Sequence, residues 1–247
     1  MRLIIFDASS FMAHFRRFYS NVTSLTYSFP PRNTLAGMIA AVLGYDKEAY
    51  YRVFSRDLCK IALAFKVPVR KETLNIKYLN TDSASLPNFR GEKGTVPTNV
   101  EFVLPAPPHE RLQYRIFVTH FKEEILDELV RRLEARRFVY PPSLGPAYCL
   151  ADLTLVADTQ AETIMAKGEE YEVSTVVRED YGEFVPKEGV KVMLEERLPP
   201  DLGPGRTPCS ASYNYIYEYS GRPVTVKVVG EVFRVQMRDG NVYGVFM

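Results

Sequence analysis

Thr34-Leu35-Ala36-Gly37-Met38-Ile39-Ala40-Ala41-Val42-Leu43-Gly44 is the stretch on which the reading of this chain turns. Leu35, Met38, Ile39, Val42 and Leu43 recur at i, i+3, i+4, i+7 and i+8, which is one apolar stripe along a helix. Asn33 or Thr34 is expected to cap its start and Gly44 to end it. Gly37, Ala40 and Ala41 lie off the stripe. Small side chains there let another backbone come close, so both sides of the helix are expected to be in contact. The segment before it, Tyr27-Ser28-Phe29-Pro30-Pro31-Arg32, is rich in proline and aromatics.

Upstream, residues 2–6 are branched and aromatic and read as a first strand. Residues 11–19 follow, an aromatic and basic stretch without a clean period that contains His14, Arg16 and Arg17. Downstream, residues 46–57 suggest a second short helix, and 60–70 and 72–79 suggest strands broken near Pro68. Residues 82–98 have no period and many turn residues. A loop of that length inside a compact domain is usually functional, and this one carries Phe89, Arg90 and Lys93. Strands are expected at 100–104 and 114–119, and a strong helix at 122–137 with Ile125, Leu126, Leu129, Val130 and Leu133 inward. Its acids come first and its arginines last, complementing the helix dipole. After Tyr140-Pro141-Pro142-Ser143-Leu144-Gly145-Pro146 a strand is expected at 151–157.

Strand, helix, strand, strand, helix, strand is the ferredoxin-like order, shared with RNA-recognition folds. The predicted class is therefore α+β. Beyond residue 157 the chain reads as almost wholly β, with strands near 171–178, 190–197, 213–219, 224–229 and 231–237. Ser220-Gly221-Arg222-Pro223 and Asp239-Gly240-Asn241 look like hairpin turns. Two parts are expected, 1–157 and 158–247.

Charge is unevenly spread although the net is only +1. Residues 1–150 carry seven more bases than acids, and residues 151–203 eight more acids than bases. A basic front suits a polyanion, and an acidic middle suits a basic protein surface. No apolar run could cross a bilayer. Asp7 interrupts the first residues too soon for a signal peptide, so a cytoplasmic location is expected. Cys59, Cys149 and Cys209 are far apart and form no Cys-x-x-Cys pair, which argues against zinc and against a disulfide framework. All three are expected to be buried.

No Gly-rich phosphate loop, nucleophile elbow or His-Glu-x-x-His site occurs, and no cofactor is expected. His120 with Lys122 could serve a metal-free ribonuclease as general acid or base, although a lone His at a strand-to-helix turn is more often structural. Two bends are better candidates for RNA contact. At Arg32-Asn33-Thr34 a helix opens, and free backbone N–H groups with an arginine favour a phosphate. At Ser143-Leu144-Gly145, glycine permits a close backbone approach. The aromatic sheet pattern of RNA-recognition domains is missing, so an RNA site on the open sheet face is not expected.

The stretches Tyr27–Gly44 and Tyr140–Ala151 together resemble the conserved blocks of the CRISPR-associated Cas five family, a branch of the RAMP superfamily. The resemblance covers residues 1–157 and has type I-B flavour. It implies a ferredoxin-like domain with a long β-hairpin thumb, here near 80–98. It also implies a non-catalytic subunit of a type I Cascade effector complex that holds the 5′ handle of crRNA. The implied partners are crRNA, a Cas seven backbone subunit, the large Cascade subunit and, only within the complex, target DNA. The residues expected to touch RNA are His14, Arg16, Arg17, Arg32, Asn33, Thr34, Phe89, Arg90, Lys93, Ser143, Leu144, Gly145 and Tyr148. One branch of the family cleaves precursor RNA with a Tyr, Lys and His set; Tyr45, His120 and Lys122 are its loose counterparts here. A protein-interaction scaffold without RNA is the third reading.

Overall fold

In a computed structural model, which describes residues 1–20, 23–80 and 86–247, side-chain alternation decides how the central sheet is covered. Strand β1 (Arg2–Ser10) sends Ile4, Phe6 and Ala8 to one face and Leu3 and Ile5 to the other. Helix α1 (Arg32–Leu43) and the short α2 (Tyr50–Val53) follow, then β2 (Cys59–Phe65), which alternates in the same way. Next come β3 (Val69–Leu79), the one-turn α3 (Leu86–Phe89) and β4 (Thr95–Pro105). Strand β5 (Leu112–His120), helix α4 (Glu123–Ala135) and β6 (Asp152–Gln160) complete the first part. The central sheet runs β2-β5-β1-β6 and is antiparallel throughout. That is the ferredoxin-like arrangement.

Both helices lie on one face of this sheet. Leu35, Met38, Ile39 and Val42 of α1 and Leu126, Leu129 and Leu133 of α4 share a core with Ile4, Phe6, Leu63, Tyr114 and Ile116. Fully burying a side chain of this size contributes roughly 1.5–3 kcal/mol.

The opposite face is covered by the C-terminal region. That region comprises β7 (Glu162–Val173), β8 (Val177–Arg178), β9 (Gly182–Phe184), β10 (Val192–Leu198), β11 (Tyr213–Glu218), β12 (Val224–Met237) and β13 (Gly240–Gly244). Phe233 and Val235 of β12, with Phe246, pack on Leu3, Ile5, Ala62, Ala64 and Phe117. Leu198, Tyr215 and Tyr217 enter the helix-side core. The expected boundary at 157 lies inside β6, and the C-terminal strands build part of the same core.

Several local expectations are corrected. Helix α1 begins at Arg32 after Pro31 and has no side-chain cap; Asn33 instead bonds the 200–202 backbone. Most of the expected helix at 46–57 is not helical; only Tyr50–Val53 is. The segment expected to be structureless forms α3 and the start of β4, and residues 82–85 of it lie outside the described residues. The hairpin expected near 80–98 is larger: β3 and β4 pair from Val69↔Pro105 to Leu79↔Thr95, and only residues 81–85 of it lie outside the description. The strands expected at 224–229 and 231–237 are one strand, β12, with a register shift at Val228/Val229 beside Gly230 in the left-handed region. Ser220–Pro223 joins strands of different sheets and is no hairpin. Cys209 is exposed, while Cys59 and Cys149 are buried.

Candidate nucleic-acid interface

Strip 13–17 sits between the ribbon formed by β3 and β4 and residues 24–27. Ala13 exchanges backbone bonds with Val103, and Phe15 accepts from the Tyr27 N–H. The His14 N–H donates to the Leu144 carbonyl, which ties the strip to the 142–151 bend. Side chains then alternate: Phe15 enters the core, while Arg16 is exposed.

This tethering opens a cleft of about 580 Å³. It is lined by His14 and Arg16 from the strip, Pro31 and Thr34 from the start of α1, Tyr78 from β3, and Gly145 and Tyr148 from the bend. Four chain segments distant in sequence supply those side chains. Five of the expected site residues, His14, Arg16, Thr34, Gly145 and Tyr148, therefore meet in one place.

Arg16 supplies a cation to the cleft, and among the described residues its guanidinium donates to the Ser20 carbonyl alone, at 3.5 Å. Tyr148 is half exposed and its hydroxyl lies 3.5 Å from that of Tyr78, so two phenol rings flank the opening. Burial, reinforced by this contact, raises the Tyr148 hydroxyl above its ordinary pKa. The uncapped start of α1 places the positive end of a helix dipole at the same opening. A cation, flat ring faces and a helix start fit a phosphate with a stacked base.

His14 has a different part from the one expected. It is buried, its Nδ1–H donates to the Glu101 carbonyl at 2.7 Å, and its Nε2 then accepts from the Ser24 hydroxyl at 3.1 Å. The carbonyl can only accept, which assigns the tautomer. Burial is the main cause that lowers its pKa, so the ring is neutral and holds the wall. Gly145 does allow a close backbone approach, but to the chain itself. A Cβ there would collide with the His14 carbonyl oxygen, and its φ is +104°. Leu144 is a core side chain, and Ser143 bonds the Gly145 carbonyl.

Other expected residues are engaged elsewhere. Arg32 is buried and donates to the Phe54 and Cys59 carbonyls at 3.0 and 2.6 Å and to Asp201 at 3.3 Å. It locks the α1 start to the next segment and is not presented to a ligand, contrary to expectation. Asn33 bonds the Pro200 carbonyl at 2.5 Å, so it too is removed from the expected contact. Arg17 pairs with the buried Glu195 and bonds Tyr19 and the Thr26 carbonyl. Phe89, Arg90 and Lys93 sit at the ribbon tip, away from the cleft lining. Phe89 and Arg90 are exposed there, and Arg90 lies 4.0 Å from Glu92. The small face of α1 is covered within the chain: the Tyr50 ring lies 3.8 Å from where a Cβ on Gly37 would stand, and residues 139–140 bond the Ala41 and Val42 carbonyls.

Tyr45, His120 and Lys122 do line one cleft, of about 530 Å³. His120, however, is buried with both ring nitrogens committed. Nε2–H donates to the Val53 carbonyl at 2.8 Å and Nδ1 accepts the Lys122 backbone N–H at 2.9 Å. A ring held this way has no free nitrogen for proton transfer.

Tyr78, Ser24, Val100 and Pro199 also line the first cleft and were missed from sequence. Tyr78 alone left a signal, as an aromatic on a ribbon strand with few covered positions. The acidic middle was expected to face a partner; part of it faces inward, where Glu195 meets Arg17 and Lys71 and Asp201 meets Arg32 and Arg56.

The sheet order, the inserted ribbon and the C-terminal cover define an α+β protein of the ferredoxin-like RAMP class. The chain belongs to the CRISPR-associated Cas5 family, since the profile described as CRISPR-associated protein (Cas_Cas5) matches residues 3–242. A crystal structure of a CRISPR protein from Archaeoglobus fulgidus superposes with a TM-score of 0.60 at 16% identity, covering 99% of each chain. A chain from a CRISPR RNA-guided surveillance complex gives 0.50 at 17% identity, covering 92% of each. These likenesses establish a shared fold. No curated protein sequence matches the chain.

Proposed function

We propose that this protein is a subunit of a CRISPR effector complex that grips the 5′ handle of crRNA in the cleft between Arg16, Thr34, Tyr78 and Tyr148, without cutting it. The observation that carries the reading is the convergence of four separate segments on one cationic, tyrosine-flanked opening. Family membership supports it, as does the fold shared with a chain of an RNA-guided surveillance complex. The coverage of both faces of the central sheet supports it as well, because it moves RNA contact from the sheet to the loops.

In this reading the exposed ribbon, with Leu86 and Phe89 at its tip, meets a Cas seven backbone subunit or the large Cascade subunit. Target DNA is met only within the assembled complex. The test is co-purification followed by sequencing of the retained RNA. A population sharing one constant 5′ segment is expected, and random cellular RNA would refute the reading. Arg16→Ala should weaken handle binding and lower its salt dependence by about 0.7 in slope, the loss of one phosphate contact on a single strand.

The ribonuclease reading has one observation in its favour, the shared cleft of Tyr45, His120 and Lys122. Incubating precursor RNA with the protein and EDTA decides it. Intact RNA is expected, because His120 has no free nitrogen.

A further inference from the structure

A second cationic cleft, of about 550 Å³, lies at the base of the ribbon. Arg17, Arg70, Lys71 and Lys191 line it against a single acidic residue, Glu195. Glu195 is buried and its two oxygens are divided between Arg17 on one side and Ser28 with Lys71 on the other. The Lys71 ammonium donates to the Thr26 carbonyl at 2.9 Å and pairs with Glu195 at 3.4 Å. Lys191 is exposed and lies over the Tyr219 ring at 5.8 Å. Arg17 and Lys71 share one carboxylate and Arg70 pairs with Glu72, so the positive surplus beside the tyrosine face rests on Lys71 and Lys191.

The two clefts share no lining residue, but two strips of chain supply both. Arg16 lines the first and Arg17 the second; Pro199 lines the first and Glu195 the second. Phe18 and Tyr19 follow Arg17 on one strip, and Arg197 stands between Glu195 and Pro199 on the other. The Arg197 guanidinium lies 4.8 Å from the Tyr19 ring centre and 5.9 Å from that of Phe18. Phe18 is 52% exposed although it is a large apolar ring, and Arg197 is exposed as well. Exposed rings alternating with cations are the features on which successive bases stack while phosphates are neutralised.

We propose that a single-stranded RNA held in the first cleft continues over the Phe18–Tyr19–Arg197 platform into the Lys71–Lys191 cleft, so that the two form one track. The inference rests on the RNA reading of the first cleft and extends it to residues outside that cleft. Two lengths of single-stranded RNA separate the two ideas, measured by fluorescence anisotropy over a range of salt. The short oligomer fills one cleft, and the longer one reaches both. Lys191→Ala and Arg197→Ala, both at exposed side chains, should weaken the long RNA severalfold and lower its salt slope by about 0.7 each. They should leave the short RNA unchanged. Phe18→Ala should weaken the long RNA by about tenfold through lost stacking.

If these variants leave the long RNA unchanged while Arg16→Ala weakens both lengths, the track is refuted and the first cleft stands. If Arg16→Ala also has no effect, both readings fall. Equal losses for both lengths would overturn the track too, as would Lys191-dependent capture of poly-glutamate without any effect on RNA, which would assign the cleft to an acidic protein.

Discussion

In the central sheet both faces of β1 are covered, Ile4 and Phe6 by helices and Leu3 and Ile5 by β12 and its neighbours. In the ribbon of β3 and β4 the outer half is bare: Leu74, Tyr78, Leu79 and Val96 are exposed along it, and Leu86 and Phe89 at its tip are 70% and 61% exposed. The strands carry comparable apolar residues. What differs is whether the chain itself supplies a second layer. Where it does, apolar area becomes stability. Where it does not, the same area is left for other molecules. The second cleft lies where the ribbon joins the covered part and the first lies farther out, against Tyr78, so the RNA site we propose runs beside an uncovered arm.

That contrast can be broken most forcefully at Phe117, which packs 5.3 Å from the Phe233 ring between the sheet and its C-terminal cover. Phe117→Ala should cost about 3–5 kcal/mol, read as a lowered denaturant midpoint. A loss under 1 kcal/mol would show that the cover is only loosely applied. Next comes Gly145→Ala, which sets a methyl against the His14 carbonyl at positive φ. We expect about 2–3 kcal/mol of destabilisation together with weaker RNA binding. Unchanged binding at reduced stability would detach the bend from the site.

A smaller effect is expected from pH. Burial favours neutral His14, so the unfolded chain takes up the proton more readily than the folded one. Stability is complete above the ordinary imidazole value of 6.5 and declines as the pH falls below it. Thermal melts at stepped pH should show this slope reduced in His14→Gln. An equal slope in both proteins would mean that other groups carry it. Smallest is the effect at the ribbon tip: Phe89→Ala should change stability by no more than about 0.5 kcal/mol, yet reduce recovery of the assembled complex in co-purification. A large stability loss there would mean that the tip is packed by its own chain.

Several parts of this molecule were legible in the sequence for reasons that are local. The stripe from Leu35 to Leu43 repeats within one helix, so its inward face follows from the 3.6-residue period. The same holds for Ile125, Leu126, Leu129 and Leu133 of α4. Site residues were harder to read. Arg32 and Arg16 are both arginines in an aromatic context, and nothing local separates them. Arg32 turned inward because carbonyls at Phe54 and Cys59 and the carboxylate of Asp201 wait for it there. Those partners lie 22 to 169 residues away in sequence. Glu195 belongs to the acidic middle that the sequence suggested for a basic partner surface, yet the fold places it in the core against Arg17 and Lys71.

The sequence by itself determined the α+β order, the inward stripes of both long helices and the two family blocks, because each depends on residues close along the chain. Only the tertiary structure decided which cations remain available. A charged group is neutralised by whatever the fold brings within about 4 Å, and long-range strand pairing, not neighbouring sequence, settles that.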